Sequence, residues 1–248
     1  IYLTNGESLS PTTATYENDP QENKDINLIV DDFTQEKFKL TDDQSVDYNL
    51  YVPKSVKTAK KDDTKYPLIL FMHDGSIQCN DTRMTLFQGV GGTVWASKEE
   101  QQIRESFIVA PCFTTVIVND DWKTSGQYPL IIPMLQNIIS KYENYIDTNR
   151  IYTTGQSMGA MTSISLMCDY RDFFASAMIV AGQWNETLML NMVNDTFWIL
   201  WSEADPKSPV QNDIALKLLE ENGAQVSRAR WDGRADEKEK EENVNKIL

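Results

Sequence analysis

The segment Ile151-Tyr-Thr-Thr-Gly-Gln-Ser-Met-Gly-Ala160 sets Ser157 between Gly155 and Gly159. A β-branched and aromatic run leads in, and small residues that tolerate a helix lead out, so the pattern predicts a strand, a sharp turn and a helix. In such a turn the serine is strained and its Oγ stands exposed above a sheet. The residues two before and two after it press against neighbouring backbone, where a Cβ would clash, hence the glycines. The first amides of the helix, beginning with Met158, then point at any oxyanion formed at the serine. A chance G-x-S-x-G in an ordinary turn would not have a strand before it and a helix after it.

A serine hydroxyl is a poor nucleophile until a base takes its proton, so partners are required. His73-Asp74-Gly75-Ser76 directly follows the apolar run Pro67-Leu-Ile-Leu-Phe-Met72. A backbone amide there would share an oxyanion with the amide of Met158. Gly75 is the expected donor because it permits close backbone approach, with Asp74 and Ser76 as alternatives. An ordinary turn with a structural His73 is the plainer reading. Trp201-Ser-Glu-Ala-Asp-Pro206 follows Thr196-Phe-Trp-Ile-Leu200. Asp205 is the expected acid, holding a catalytic imidazole in its working tautomer. Glu203 is its local rival, and capping of the next helix is the simpler use of Asp205. Gln156, beside the serine, and Trp122 and Trp184, in or near loops at strand ends, are the expected substrate contacts. Ordinary packing would also account for the tryptophans.

The base is the missing part. His73 is the single histidine of the sequence and precedes the serine; its position suits bracing the loop better than reaching Oγ. In the order Ser, Asp, His, the base would follow a strand at 225–231, where the sequence has no histidine. Three readings stay open: a histidine beyond Leu248, a non-catalytic relative, or an unusual role for His73.

These sites need a scaffold that gathers strand ends. Residues 67–72 and Ser106-Phe-Ile-Val-Ala110 are continuous apolar runs, as in strands covered on both faces. Leu130, Ile131, Met134, Leu135, Ile138, Ile139 and Tyr142 recur at helical spacing over 128–145. Strands follow at 149–155, 175–181, 196–202 and 225–231, with helices at 158–169 and 209–222; Asn222-Gly223 is a fitting helix stop. Alternating strands and helices give an α/β fold, a mostly parallel central sheet with helices on both faces, and reactive groups then sit at the carboxyl ends of the strands. Upstream, 27–33 and 46–53 read as two strands; alternation of Val46, Tyr48, Leu50 and Val52 in the second suits an antiparallel hairpin. Residues 1–25 form a polar lead-in, 54–66 a surface loop rich in Lys and Asp, and 236–245 a charged surface helix or tail.

The 248 residues, 41% hydrophobic and 24% charged, suffice for one large domain with a substantial core. A net charge of −14 repels phosphate backbones, so nucleic acid is not an expected partner; the plain use of that acidity is solubility. No apolar run is long enough to span a bilayer, so no membrane partner is expected either. One histidine and scattered cysteines argue against a zinc site, and no cofactor is expected. Cys168 reads as a buried thiol. Cys79 and Cys112 each lie just beyond a core strand, which leaves one bridge between them open, because spacing does not fix the Cα separation. A first residue other than Met and the acidic composition lean toward a secreted or extracytoplasmic protein, with a cytoplasmic one as the alternative. Nothing in the pattern specifies the acyl group, the alcohol or the oligomeric state.

Tyr66-Pro-Leu-Ile-Leu-Phe-Met-His-Asp-Gly75, Val109-Ala-Pro111, Asn149-Arg-Ile-Tyr-Thr-Thr-Gly-Gln-Ser-Met-Gly-Ala160, Phe174-Ala-Ser-Ala-Met-Ile-Val-Ala-Gly182 and Trp201-Ser-Glu-Ala-Asp-Pro206 together resemble the α/β-hydrolase superfamily. The nearer resemblance is to esterases of the polyhydroxybutyrate-depolymerase and feruloyl or acetyl-xylan esterase branch, related to prolyl-oligopeptidase-like hydrolases. Asn149-Arg-Ile-Tyr152 and Ala181-Gly-Gln-Trp184 carry that branch, and the likeness covers roughly residues 45–232. It implies an α/β-hydrolase catalytic domain over 26–248 that lacks its C-terminal His-bearing segment. It also implies a serine carboxylesterase working through an acyl-enzyme on Ser157, with Asp205, the Met158 and Gly75 amides and a histidine beyond Leu248. The substrate would be a small-molecule or polysaccharide-linked ester. The chain departs from the family in reading His73-Asp74-Gly75 where His-Gly is usual, and in lacking the catalytic histidine. Members often carry an N-terminal β-sandwich module, of which residues 1–25 could be the tail. A serine peptidase of the same fold and a hydrolase-like protein that only binds are the alternatives.

Overall fold

The computed structural model describes residues 29–58, 64–77, 79–88, 90–231 and 233. Among these residues eight strands make one sheet: β1 (Thr34–Lys39), β2 (Ser45–Tyr51), β3 (Tyr66–Met72), β4 (Phe107–Cys112), β5 (Ile146–Gln156), β6 (Ser176–Val180), β7 (Phe197–Ser202) and β8 (Ser227–Trp231). Their spatial order is β1-β2-β4-β3-β5-β6-β7-β8. The pairs β1–β2 and β2–β4 are antiparallel, and all others are parallel. The helices are α1 (Lys54–Lys57), α2 (Lys98–Ile103), α3 (Ile131–Lys141), α4 (Met158–Asp169), α5 (Glu186–Met189) and α6 (Ser208–Glu221).

Side-chain alternation along the strands divides the interior into two cores. Leu68, Leu70 and Met72 of β3 and Phe107 and Val109 of β4 point into the first, where α3, α4, α5 and α6 pack. Phe71, Ile108 and Ala110 point the other way, into a smaller core with Val30, Phe33, Tyr51, Leu86 and Ala96. Because β5, β6, β7 and β8 are laid down in one direction, right-handed crossovers put α4, α5 and α6 all on the first face. α4 shows no polar stripe because residues 158–168 are buried all round. Its hydroxyls are all partnered: Thr162 donates to the Met158 carbonyl at 2.7 Å, Ser163 reaches the Gly159 carbonyl at 3.0 Å and Thr153 Oγ1 at 2.9 Å, and Ser165 meets the Tyr128 hydroxyl at 2.9 Å. Among the described residues the second face is less covered over the later strands. Tyr152 and Met178 are half-buried and Trp198 is exposed along a cleft of about 1190 Å³ shared with Trp95 and Gln101.

One expected strand is not one. Residues 29–31 form a helical turn, and β1 lies just downstream at 34–39. Val30 and Phe33 are used as plugs for the second core, Phe33 packing on Tyr51 with ring centroids 5.6 Å apart. β1 itself, Thr-Gln-Glu-Lys-Phe-Lys, is a charged edge strand whose conformation comes from its register with β2. The loop expected at 54–66 begins with α1, and its residues 59–63 lie outside the described residues, as do the lead-in 1–25 and the stretch 236–245. Cys79 and Cys112 are bonded, with Cα atoms 5.5 Å apart, and Cys168 is a buried free thiol. No helix among the described residues is long and apolar enough to cross a membrane.

Candidate active site

Ser157 stands between β5 and α4 with φ 54° and ψ −118°, a region that L residues avoid. The side chain is exposed, and the strained backbone is fixed from both sides: the Ser157 N–H donates to the Val180 carbonyl at 3.0 Å, and its carbonyl accepts from the Met161 N–H at 2.9 Å. The flanking glycines are sterically required. A Cβ on Gly155 would lie 2.6 Å from the Met72 carbonyl oxygen, and one on Gly159 only 2.0 Å from the same oxygen. The close approach of α4 to the end of β3 therefore depends on both.

β3 is the hydrogen-bonded neighbour of β5, so the loop after β3 lies beside the serine. A Cβ placed on Gly75 would touch Met158 Cβ at 3.6 Å. His73 shapes this loop from inside. Its ring is fully buried; Nε2 accepts the Phe113 N–H at 3.1 Å, which leaves Nδ1 to carry the proton and donate to the Asp74 carbonyl at 2.7 Å. Burial holds the imidazole below its ordinary pKa, against smaller opposing pulls from the Asp74 carbonyl and carboxylate. With both nitrogens engaged, His73 has no lone pair to offer a hydroxyl. The idea of an unusual base at His73 is thereby closed, and the bracing role is the observed one.

The three loop amides differ in their partners. The Asp74 N–H donates to Gln88 Oε1 at 2.8 Å, and the Ser76 N–H to Asp74 Oδ1 at 2.7 Å. The Gly75 and Met158 amides have no acceptor among the described residues. Hydrogen-bond accounting thus removes Asp74 and Ser76 as free donors and leaves Gly75 and Met158.

Asp205 sits in the loop after β7, two strands from β5, or roughly 10 Å across the sheet. An imidazole between a hydroxyl and a carboxylate would fill that gap. Oδ1 accepts the Lys207 N–H at 2.8 Å and the Ser208 N–H at 2.9 Å, so Asp205 also organises the start of α6. Burial alone would raise its pKa, but the amide bonds from Ser208 and Lys207, the Ser208 hydroxyl and the Lys207 charge together hold the carboxyl below the ordinary value. The rival Glu203 is paired with Arg230.

Trp122 and Trp184 meet edge to face, with centroids 5.7 Å apart. Trp184 is buried; Trp122 is half-buried and its φ is 61°. Asn119 Oδ1 holds the turn, accepting from the Asp121 and Lys123 amides, each at 3.1 Å. Asp120 joins this loop to the acid loop through Lys207 Nζ at 2.5 Å and to Gln183 Nε2 at 3.4 Å, while Gln183 Oε1 accepts from the Ser208 hydroxyl at 3.2 Å. Gln156 is exposed directly before the serine. Sequence reasoning found neither Gln88 nor the Asp120–Lys207–Gln183 set; their partners lie 14 to 87 residues away, and no local spacing marks them. The cleft on the second face shares none of these residues and lies toward the amino ends of the parallel strands. Among the described residues no group of three or more His, Cys, Asp or Glu side chains could hold a metal ion.

No protein-family model and no curated protein matches the sequence. Solved structures do match. A thermostable esterase superposes with TM-score 0.75 at 26% identity over 85% of this chain, and the chain spans 57% of that protein. A ferulic acid esterase gives TM-score 0.55 at 14% identity over 87% of this chain and 96% of its own. A Pyrococcus horikoshii acylaminoacyl peptidase gives 0.56 at 16% identity over 83% of this chain and 38% of its own. The chain has the α/β-hydrolase fold.

Proposed function

We propose that, on this α/β-hydrolase fold, the chain is the catalytic domain of a serine carboxylesterase. The observation that carries the proposal is the pair of uncommitted amides, Gly75 and Met158, beside a strained and exposed Ser157. Ser157 Oγ attacks the ester carbonyl as a base takes its proton. The negative charge that develops on the carbonyl oxygen is met by the two amides, which are already oriented. Collapse of the tetrahedral species expels the alcohol, protonated by the same base, and leaves an acyl-enzyme that water hydrolyses by the same steps. Asp205, held ionised by its amide bonds, orients the base and stabilises its cationic form. That base is a histidine other than His73, whose two ring nitrogens are both engaged.

Small-molecule or polysaccharide-linked esters are the proposed substrates, with Trp122 and Gln156 as contacts and Trp184 backing Trp122. The likeness to a thermostable esterase supports the ester class. The Cys79–Cys112 bridge supports an oxidising, extracytoplasmic setting.

The test is the intact mass of the native protein before and after treatment with a fluorophosphonate, with Ser157→Ala as control. A single adduct that maps to Ser157 and is lost in the variant is the expected result. Absence of any adduct on a folded native protein would leave a binding protein as the better reading. Turnover of matched ester and amide substrates separates an esterase from a peptidase.

A further inference from the structure

Gln88 lies outside the loop that it holds. It follows a 3-10 turn at Thr82–Leu86, and that turn is fastened to the sheet. The buried Asn49 of β2 donates to the Thr82 carbonyl at 2.6 Å and to Thr85 Oγ1 at 2.9 Å, and Leu86 is fully buried in the second core. Gln88 is therefore presented from a fixed stem. Its Oε1 accepts the Asp74 N–H at 2.8 Å, and its Nε2 reaches Ser76 Oγ at 3.5 Å. Ser76 is in turn held to Asp74 Oδ1 through both its amide and its hydroxyl, the latter at 2.6 Å. The glutamine thus grips the loop on both sides of Gly75.

We propose that Gln88 is a positioning residue for the oxyanion hole. An oxyanion beside Ser157 could draw any nearby amide of the loop, and a loop that turned Asp74 N–H inward would carry Gly75 N–H away from Met158 N–H. By accepting the Asp74 amide, Gln88 removes that competitor before substrate arrives, so the Gly75 donor needs no reorganisation as charge develops. His73 holds the same loop through the Asp74 carbonyl, on the peptide that carries the Gly75 N–H, and the Cys79–Cys112 bridge fixes it beyond Ser76, but of these groups Gln88 is the one that takes up the competing Asp74 N–H. The proposal rests on the esterase reading of Ser157.

The experiment compares Gln88→Leu and Gln88→Glu with the unaltered full-length protein. For each, kcat and KM are measured on a p-nitrophenyl ester, together with the inhibition constant of an aryl trifluoromethyl ketone, which forms a tetrahedral oxyanion on serine. Leucine cannot accept the Asp74 amide, whereas glutamate can. In Gln88→Leu, kcat should fall about ten- to a hundred-fold with KM nearly unchanged, and ketone affinity should fall in parallel. Gln88→Glu should recover most of both, because the acceptor is restored. A Gln88→Leu protein with unchanged kcat and ketone affinity would overturn the proposal. So would equal losses in the two variants that track their melting temperatures, since that pattern belongs to a purely structural residue. Unaltered protein that neither turns over esters nor forms a fluorophosphonate adduct would remove the esterase reading first and this inference with it.

Discussion

Gly159→Ala tests how much of the site depends on one hydrogen. The new Cβ would lie 2.0 Å from the Met72 carbonyl oxygen, 2.6 Å from the Met72 carbonyl carbon and 2.8 Å from the His73 oxygen. All three are backbone atoms at the end of β3, where Met72 is in register with Gly155, so they have no side-chain freedom with which to retreat. Relief must come from α4, whose N-terminus has to move by about 1.4 Å to bring the 2.0 Å approach to an ordinary contact distance. Overpacking of this kind costs about 1–3 kcal/mol, and the backbone environment puts this site at or above the upper end. The Met158 amide rides on the same turn. A donor displaced by about 1 Å costs around a hundred-fold in turnover, or about 2.7 kcal/mol of barrier. Gly75→Ala is the contrast: its Cβ would meet Met158 at 3.6 Å, an ordinary contact, so stability should change by less than about 1 kcal/mol. Urea denaturation and the rate of fluorophosphonate labelling at Ser157 read the two quantities separately. A Gly159→Ala protein that is as stable as the parent and labels as fast would refute the steric argument.

Asp205→Asn and Asp205→Ala divide the two uses of that residue. Asparagine still accepts the Lys207 and Ser208 amides, so it should leave stability within about 1 kcal/mol and yet lower turnover about 10⁴-fold; alanine should lose both. Full turnover in the asparagine variant would reduce Asp205 to a helix cap. His73 predicts a pH dependence of stability. Its folded pKa is below the unfolded value of about 6.5, so as pH falls through that value the unfolded chain takes a proton that the folded one refuses. The His73 contribution is complete above about pH 6.5 and declines below it, by at most about 1.4 kcal/mol per pH unit, until the folded pKa is reached. Denaturation of the parent and of His73→Gln between pH 7.5 and 5 should show the parent with the steeper slope; parallel curves would contradict the buried neutral imidazole. The Cys79–Cys112 bridge spans 33 residues, so Cys79→Ser/Cys112→Ser should lose about 3–4 kcal/mol on the chain-entropy account, a loss that a denaturation curve without reductant would show directly.

Local chemistry made parts of the site readable in advance. α4 begins and ends at the expected residues because the elbow dictates its start, β3 starts one residue before the apolar run 67–72, and β7 starts one residue after the strand expected at 196–202. β1 was not legible: Phe38 is its single aromatic or aliphatic side chain, and an edge strand of Thr, Gln, Glu and Lys takes its conformation from β2 rather than from its own residues. Residues 27–33 read as a strand for their apolar members, and Val30 and Phe33 plug a core for that same apolarity, without regard to period. The candidate donors and acid could be named from their places at strand ends. Gly75 could be preferred over Asp74 and Ser76 from its lack of a side chain, but the partners that occupy those two amides could not be read, since Gln88 is 14 residues from Asp74 with no pattern linking them. His73 was legible as a brace in kind, while its use of both nitrogens depended on Phe113, 40 residues away.

The left-handed backbone at Ser157 sets the interests of the fold against those of the chemistry. At φ 54° any side chain with a Cβ costs about 1–2 kcal/mol that glycine would not. A laboratory selection for melting temperature alone should therefore drift toward Ser157→Gly, giving a hardier protein with no nucleophile. A serine that persists at this position through such a selection would have to be kept there by turnover.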